Sequence, residues 1–102
     1  MSDSGNTGTT ILRRYFIKPE GWDQFLDIWR RIVVVRQRYG FEVLFAFADR
    51  EKNLFTWAIR HPGDLEEVAA RYYKDPERIA LEIVEEWVTD WEIRTVDVID
   101  HA

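Results

Sequence analysis

One histidine is the first candidate for chemistry in this sequence. His61 ends a run of residues typical of a β-strand, whereas the other histidine, His101, is the penultimate residue. If His61 pairs with Glu42 across a hairpin, the carboxylate would orient the imidazole as a general base. The alternative is a surface histidine at a strand end before Pro62. We take His61 as the candidate catalytic residue.

A second group of residues combines aromatic rings with polar ends, as small-molecule sites do. Tyr73 has an alternative as a core residue with a hydrated hydroxyl. Arg13 has an alternative as the ion-pair partner of Glu92 or Asp97. The predicted ligand-binding residues are Arg13, Tyr15, Trp57, Arg60, Tyr72 and Tyr73.

Several kinds of site are excluded by composition. The chain has no cysteine, and its only serines are Ser2 and Ser4, so that serine and cysteine triads are ruled out. Its five glycines are too scattered for a phosphate-binding loop. A single histidine cannot supply a zinc site. We therefore expect no metal and no cofactor, although haem bound through His61 stays open.

Length and charge limit the class of protein. The 102 residues suffice for one domain, here residues 10–102, preceded by a polar tail over residues 1–9 that we expect to be disordered. The net charge of −5 argues against nucleic acid as a partner. There is no apolar run long enough for a membrane span. A cysteine-free chain favours the reducing cytoplasm.

The stretch from Phe41 to His61 organises the predicted fold. Two runs rich in aromatic and β-branched residues flank a short loop containing Asn53, a pattern that indicates an antiparallel hairpin. With Asp49 opposite Leu54, each large side chain faces a small one, and both faces of the hairpin are apolar. Both faces must therefore be covered.

Hydrophobic periodicity and turn residues define the remaining elements. Gly40 is suited to the position after a helix, Asp64 and Asp75 to helix caps, and Pro76 to a first helical position. A slip in the apolar phase between Ile93 and Val96 suggests a bulge. The predicted elements are a strand over Thr10–Lys18, a helix over Trp22–Tyr39, the hairpin, a helix from Leu65 to Tyr73, a helix over Pro76–Val88 with an apolar stripe that includes Ile79 and Ile83, and a strand over Trp91–Ile99.

This order predicts an α+β fold of the ferredoxin-like β-α-β-β-α-β type. Its helices can cover only one face of a four-stranded antiparallel sheet. Because the other face of the hairpin is also apolar, we expect a second copy to cover it. The predicted assembly is a homodimer, a dimeric α+β barrel.

Four segments resemble those of NIPSNAP-like proteins of the dimeric α/β-barrel superfamily. They are LRRYFIKPEG, VRQRYGF, NLFTWAIR and RYYKDP, and the resemblance extends from Ile11 to Ile99. It implies the ferredoxin-like fold and the dimer. The chain departs from the family at Val34, where a proline is usual, and at His61, where a tyrosine is common. The superfamily includes cofactor-free monooxygenases, haem-degrading enzymes, lactone isomerases and polyketide cyclases.

Two functions are expected from these features. The first is a cofactor-free isomerase, cyclase or monooxygenase of specialised metabolism that holds a hydrophobic or aromatic small molecule between sheet and helices. The second is a non-catalytic protein that binds a small ligand or supports assembly. A polar group with a shifted pKa inside a closed pocket would favour the enzyme.

Overall fold

The computed structural model describes residues 8–101, which form a four-stranded antiparallel sheet with helices packed on one face. The strand order is β2-β3-β1-β4, which confirms the predicted β-α-β-β-α-β fold. The predicted tail lies outside the described residues except for Gly8 and Thr9, and Thr9 belongs to the first strand. In chain order the elements are β1 (Thr9–Ile17), a 3₁₀ turn (Pro19–Gly21), α1 (Trp22–Arg38), β2 (Glu42–Asp49), β3 (Leu54–His61), α2 (Leu65–Lys74), α3 (Pro76–Ala80), a 3₁₀ segment (Leu81–Trp87) and β4 (Val88–Val96).

The hairpin of β2 and β3 has the predicted register over most of its length. Pairs run from Asp49 with Leu54 to Phe45 with Ala58. The register then shifts, so that Glu42 pairs with Arg60. The expected pairing of Glu42 with His61 is therefore wrong, because an extra residue in one strand moves all later pairs by one position.

The hairpin loop is attached through Asn53 to the end of β1 and the beginning of α1. This residue has a left-handed backbone with φ of 53°, a conformation that asparagine tolerates better than most residues. Its side-chain oxygen accepts a hydrogen bond from Trp22 Nε1 at 2.9 Å, and its carbonyl accepts one from the Ile17 N–H at 2.8 Å. The loop thus fixes where β1 ends and α1 begins.

The core lies between α1 and the inner face of the sheet, which we define as the face covered by the helices. Phe55, Trp57 and Ile59 of β3 are buried there. The Trp29 ring of α1 lies 5.0 Å from that of Phe55 and 5.5 Å from that of Trp57, in edge-to-face contact. Helix α1 has 17 residues, and no helix in residues 8–101 has the length and apolar character needed to cross a bilayer.

The predicted helix over Pro76–Val88 is wrong in its second half. Helix α3 ends at Ala80, and a 3₁₀ segment continues the chain. Side chains three apart align in 3₁₀ geometry, and Arg78, Leu81 and Val84 are accordingly buried. Ile79 and Ile83, which we expected in the apolar stripe, are instead about half exposed.

The last strand also differs from the prediction. It spans Val88–Val96, not Trp91–Ile99, and Ile99 lies beyond it with 77% of its surface exposed. The bulge expected between Ile93 and Val96 is wrong, because pairing with β1 is regular there. The irregularity lies where Phe16 and Ile17 meet the start of β4.

The outer face of the sheet, opposite the helices, carries an apolar patch on the hairpin side. The Phe45 and Phe47 rings stack at 5.1 Å, and Phe47 is 64% exposed. On the β4 side the same face is charged, with Arg14 and Arg94 both paired to Glu92. A patch of this kind marks an interaction surface more often than bare surface.

We expect a second copy of the chain to cover this patch. The wild-type protein should sediment as a dimer at micromolar concentration and bury well over the ~1,600 Å² of a standard interface. Phe47→Glu should sediment as a monomer, because a charge would be buried at the centre of the contact. Sedimentation velocity measures both.

Val34→Glu is the matched control. Val34 is a half-exposed apolar residue on α1, away from the sheet surface, so this variant should stay dimeric. A monomeric wild type, or a dimeric Phe47→Glu, would contradict the prediction.

Candidate functional site

A cavity of about 200 Å³ lies between the inner face of the sheet and the helices. Aromatic side chains from β1, β3 and α1 form much of its wall. Trp91 and Ile93 of β4 and Glu85 of the 3₁₀ segment are exposed, which places the mouth on the β4 side. The lining residues are Arg13, Tyr15, Phe25, Trp29, Ile32, Arg36, Trp57, Tyr73, Arg78, Val84, Glu85, Val88, Trp91 and Ile93.

Three arginines, which we call the arginine cluster, reach this cavity from three different elements: Arg13 from β1, Arg36 from α1 and Arg78 from α3. Arg13 lies on the inner face because it alternates with residues of the outer face along the strand. Its Nε donates to the Tyr15 hydroxyl at 2.7 Å. This bond joins two side chains on one face of β1, so that the strand itself sets the direction of the guanidinium.

Arg36 is positioned by the end of helix α1. The N–H of Phe41 donates to the Arg36 carbonyl at 3.2 Å and the Gly40 N–H to the Gln37 carbonyl at 3.0 Å. This is a Schellman cap, and Gly40 at φ of 88° supplies its left-handed residue. The cap brings the Phe41 ring to 4.7 Å from the Arg36 guanidinium carbon.

Two tyrosines complete the surroundings of Arg36. The Tyr72 ring lies 4.2 Å from its guanidinium carbon, and Arg36 Nη2 donates to the Tyr73 hydroxyl at 3.1 Å. Arg36 is only 3% exposed. Aromatic faces attract a desolvated cation, and they therefore allow a charged group to lie in an otherwise apolar interior.

Arg78 enters the same region from a short helix. Asp75 caps α3 by accepting from the N–H groups of Glu77 and Arg78. The Arg78 guanidinium lies 5.2 Å from the centre of the Tyr73 ring and 5.5 Å from that of Tyr72. The two tyrosines thus contact both Arg36 and Arg78.

The arginine cluster has no carboxylate partner among residues 8–101. Within that part of the chain, three of its buried nitrogens also have no hydrogen-bond partner: Arg36 Nε, Arg78 Nε and Arg78 Nη1. The indole nitrogens of Trp29 and Trp57 are also buried and have no hydrogen-bond partner there. The hydroxyl of Tyr72, whose ring contacts Arg36 and Arg78, is a further buried group without a partner among the described residues. Buried polar groups are normally paired, so their number around these arginines calls for an explanation.

The electrostatics of the cavity follow from the three positive charges. Burial acts to raise the pKa of the Tyr73 phenol, but Arg36, Arg13 and Arg78 together outweigh burial and hold that pKa below its usual value. Burial, and then the charge of Arg13, lower the pKa of Arg36. An arginine stays protonated under such conditions. The cavity therefore favours negative charge, including that of a phenolate.

The structure brings four of the predicted ligand-binding residues together at the cavity: Arg13, Tyr15, Trp57 and Tyr73. Tyr72 is fully buried behind the arginines. Arg60 lies on the outer face, where it forms an ion pair with Glu42 at 2.9 Å, and it lines a different depression with Thr10 and Asp97. Whether any of these residues binds a ligand stays a prediction.

His61 is outside the lining of the cavity. Its Nε2 lies 2.8 Å from the Tyr39 carbonyl, and its Nδ1 accepts from the Gly63 N–H at 3.0 Å. These partners indicate the tautomer with the proton on Nε2. The ring therefore links the end of β3 to the end of α1 through backbone groups. Its catalytic role stays a prediction, but the Glu42 partner on which that role depends is absent.

Sequence reasoning missed several residues of the cavity. Arg36 falls on the apolar stripe of α1, and a charged residue on a buried stripe is itself a signal of a site. Arg78 could have been found from the three-residue spacing of Arg78, Leu81 and Val84. Trp29, Glu85 and Trp91 carry no comparable signal.

Solved structures share this fold over nearly the whole chain. A NIPSNAP family protein from Agrobacterium tumefaciens str. C58 superposes with a TM-score of 0.81 at 15% identity, covering 100% of this chain and 95% of that one. An uncharacterized NIPSNAP domain protein from Burkholderia xenovorans gives 0.74 at 15% identity, with 92% and 95% covered. An antibiotic biosynthesis monooxygenase gives 0.68 at 17% identity, with 90% and 99% covered.

These similarities confirm the predicted resemblance at the level of the fold. No protein-family model and no curated protein matches the sequence. Function must therefore be argued from the cavity itself, because one fold supports many activities.

The contacts of His61 predict a structural role. His61→Phe should keep the ring volume but leave the Tyr39 carbonyl and the Gly63 N–H without their partner, lowering the free energy of unfolding by about 1–2 kcal/mol. Urea denaturation measures this change. His101→Phe, at an exposed position near the end of the chain, is the control and should leave stability unchanged. Equal stability of His61→Phe and wild type would refute the structural role.

Proposed function

We propose that this protein binds one small molecule with an aromatic or otherwise hydrophobic body in the cavity between sheet and helices. The observation that carries the proposal is that aromatic walls and three arginines meet at one cavity, which opens on the β4 side. Binding sites of this kind combine an apolar lining with a few polar groups that orient the ligand.

The size of the cavity limits the ligand. A dry engineered cavity of about 150 Å³ holds benzene, and this cavity measures about 200 Å³. One aromatic ring with a substituent, or a compact fused pair reaching towards the mouth, fits that space. A large polycyclic molecule would extend past Trp91 into solvent.

The aromatic walls favour a site that exists before the ligand arrives. Tyr15 stacks on Phe55 with ring centres 6.4 Å apart, and Phe25 contacts Phe55 edge-to-face at 5.0 Å. Rings that already hold one another in place lose little freedom when a ligand enters. This supports recognition by a preformed pocket.

Catalysis without a cofactor, by an isomerase, cyclase or monooxygenase, is our first proposal for the fate of the bound molecule. The supporting group is Tyr73, whose hydroxyl accepts from Arg36 and whose pKa is lowered by the arginine cluster. Such a phenol is suited to moving a proton to or from a bound substrate. Tyr73 thus takes the role predicted for His61. The alternative is a carrier, for which the aromatic walls alone would suffice.

Filling the cavity should abolish binding. Val84 is buried and lines the cavity, and Val84→Phe should weaken binding at least about tenfold, because the added ring occupies the ligand's space. Ile83→Phe makes a similar change at the neighbouring position, which does not line the cavity, and should bind as wild type does. Calorimetry with a panel of one- and two-ring aromatic acids, amides and alcohols measures the affinities.

Wild type should bind at least one member of the panel, and native mass spectrometry of the freshly purified protein should show a bound molecule of matching size. Melting curves verify that both variants are folded. A wild type that binds none of the panel, or equal affinity of Val84→Phe and wild type, would overturn the proposal.

A further inference from the structure

We infer that the ligand of this cavity carries a carboxylate, held by Arg13, Arg36 and Arg78, on its aromatic or hydrophobic body. The inference rests on the proposed function and adds the chemical class of the ligand. It is carried by the arginine cluster, whose three positive charges meet at the cavity without a carboxylate partner among residues 8–101.

Charge is the first reason to expect a carboxylate. Three guanidinium groups meet at one cavity, and the only carboxylate in its lining is that of Glu85, which is exposed and forms no ion pair with any of them among the described residues. The chain has nineteen acidic residues and a net charge of −5, so carboxylates are plentiful elsewhere in the sequence. Buried charges in proteins are normally paired. A ligand carboxylate would supply the missing negative charge.

The direction of hydrogen bonding is the second reason. Arg36 Nε, Arg78 Nε and Arg78 Nη1 are buried donors without a partner in residues 8–101. The Tyr73 oxygen accepts from Arg36, so its own hydrogen can be donated. An ionised carboxylate only accepts hydrogen bonds, and it therefore matches a set of donors. A neutral amide also carries N–H groups, and these cannot form hydrogen bonds with the N–H groups of the arginines.

The way the arginines are held is the third reason. Arg13 is held by the Tyr15 hydroxyl at 2.7 Å, while Arg36 and Arg78 lie against the Tyr72 and Tyr73 rings. The groups that hold the arginines are neutral. They fix the positions of the guanidinium groups without neutralising them, which keeps the charge available for a ligand.

Stacking on tyrosine could by itself account for the burial of Arg36 and Arg78. In that case the cavity would have no preference for a negative ligand. The two explanations differ in a measurable quantity, which is the ratio of affinities for an acid and for a neutral molecule of the same shape.

The test compares matched probes in the full chain: benzoate with benzamide, and 2-naphthoate with 2-naphthamide. Wild type should bind the acid at least about tenfold more tightly than the amide in the pair that fits, as expected for hydrogen bonds to a charged group. Arg78→Met and Arg13→Met should each remove most of this preference, measured as the ratio of the acid affinity to the amide affinity in the same variant.

Arg14→Met is the control variant. Arg14 lies on β1 next to Arg13 but on the outer face, where it pairs with Glu92 at 3.4 Å, so the acid preference should be unchanged. Equal affinity of wild type for acid and amide would overturn the inference and leave the proposed function standing. A preference for the acid over the amide that survives in both Arg13→Met and Arg78→Met would also overturn the inference. If neither member of either pair binds but another member of the panel does, the inference falls and the proposed function stands. If no member of the panel binds, both fall.

Discussion

The hairpin of β2 and β3 is apolar on both of its faces, and this constraint shapes the rest of the molecule. On the inner face, Phe55, Trp57 and Ile59 are almost completely buried, so helix α1 has to cross that side of the sheet. Each large buried side chain contributes about 1.5–3 kcal/mol relative to exposure. The same helices cannot also reach the outer face, which leaves the Phe45 and Phe47 rings facing away from the core. One hairpin therefore accounts for both the helical layer and the exposed apolar patch on the opposite surface.

The cavity has three arginines in its lining, at positions of the inner layer where apolar residues are usual. Moving an ion out of water costs several kcal/mol even after relaxation, and cation–π contacts return up to about 2 kcal/mol each when they are desolvated. The Tyr72 and Tyr73 rings thus offset part of the cost of burying Arg36 and Arg78. A hydrophobic residue at any of the three positions would be buried at a lower cost in free energy. Keeping three arginines at one cavity makes physical sense if they act on something that enters it.

Sequence patterns predicted the architecture well and the site only in part. Alternation and turn residues determined the hairpin from Asp49–Leu54 to Phe45–Ala58, because side-chain period and loop length set the register. The register shift beyond Phe45 has no sequence signal that we can identify, and it moved Glu42 from His61 to Arg60. Arg78 was missed because the expected apolar stripe ran through Ile79 and Ile83, whereas the chain buries Arg78 and Leu81 instead. The lining of the cavity comes from seven elements, so it depends on such small offsets, whereas the sheet order does not.

The exposed apolar patch and the cavity lie on opposite faces of the sheet. The mouth of the cavity is bordered by Trp91 and Ile93, which share the inner face with Arg13 and Tyr15 because β4 pairs with β1 in register. A second copy lying on Phe45 and Phe47 would meet the outer face and the far edge of the sheet, since β2 and β4 occupy opposite ends of the strand order. Such a partner would bury the exposed rings without covering the mouth.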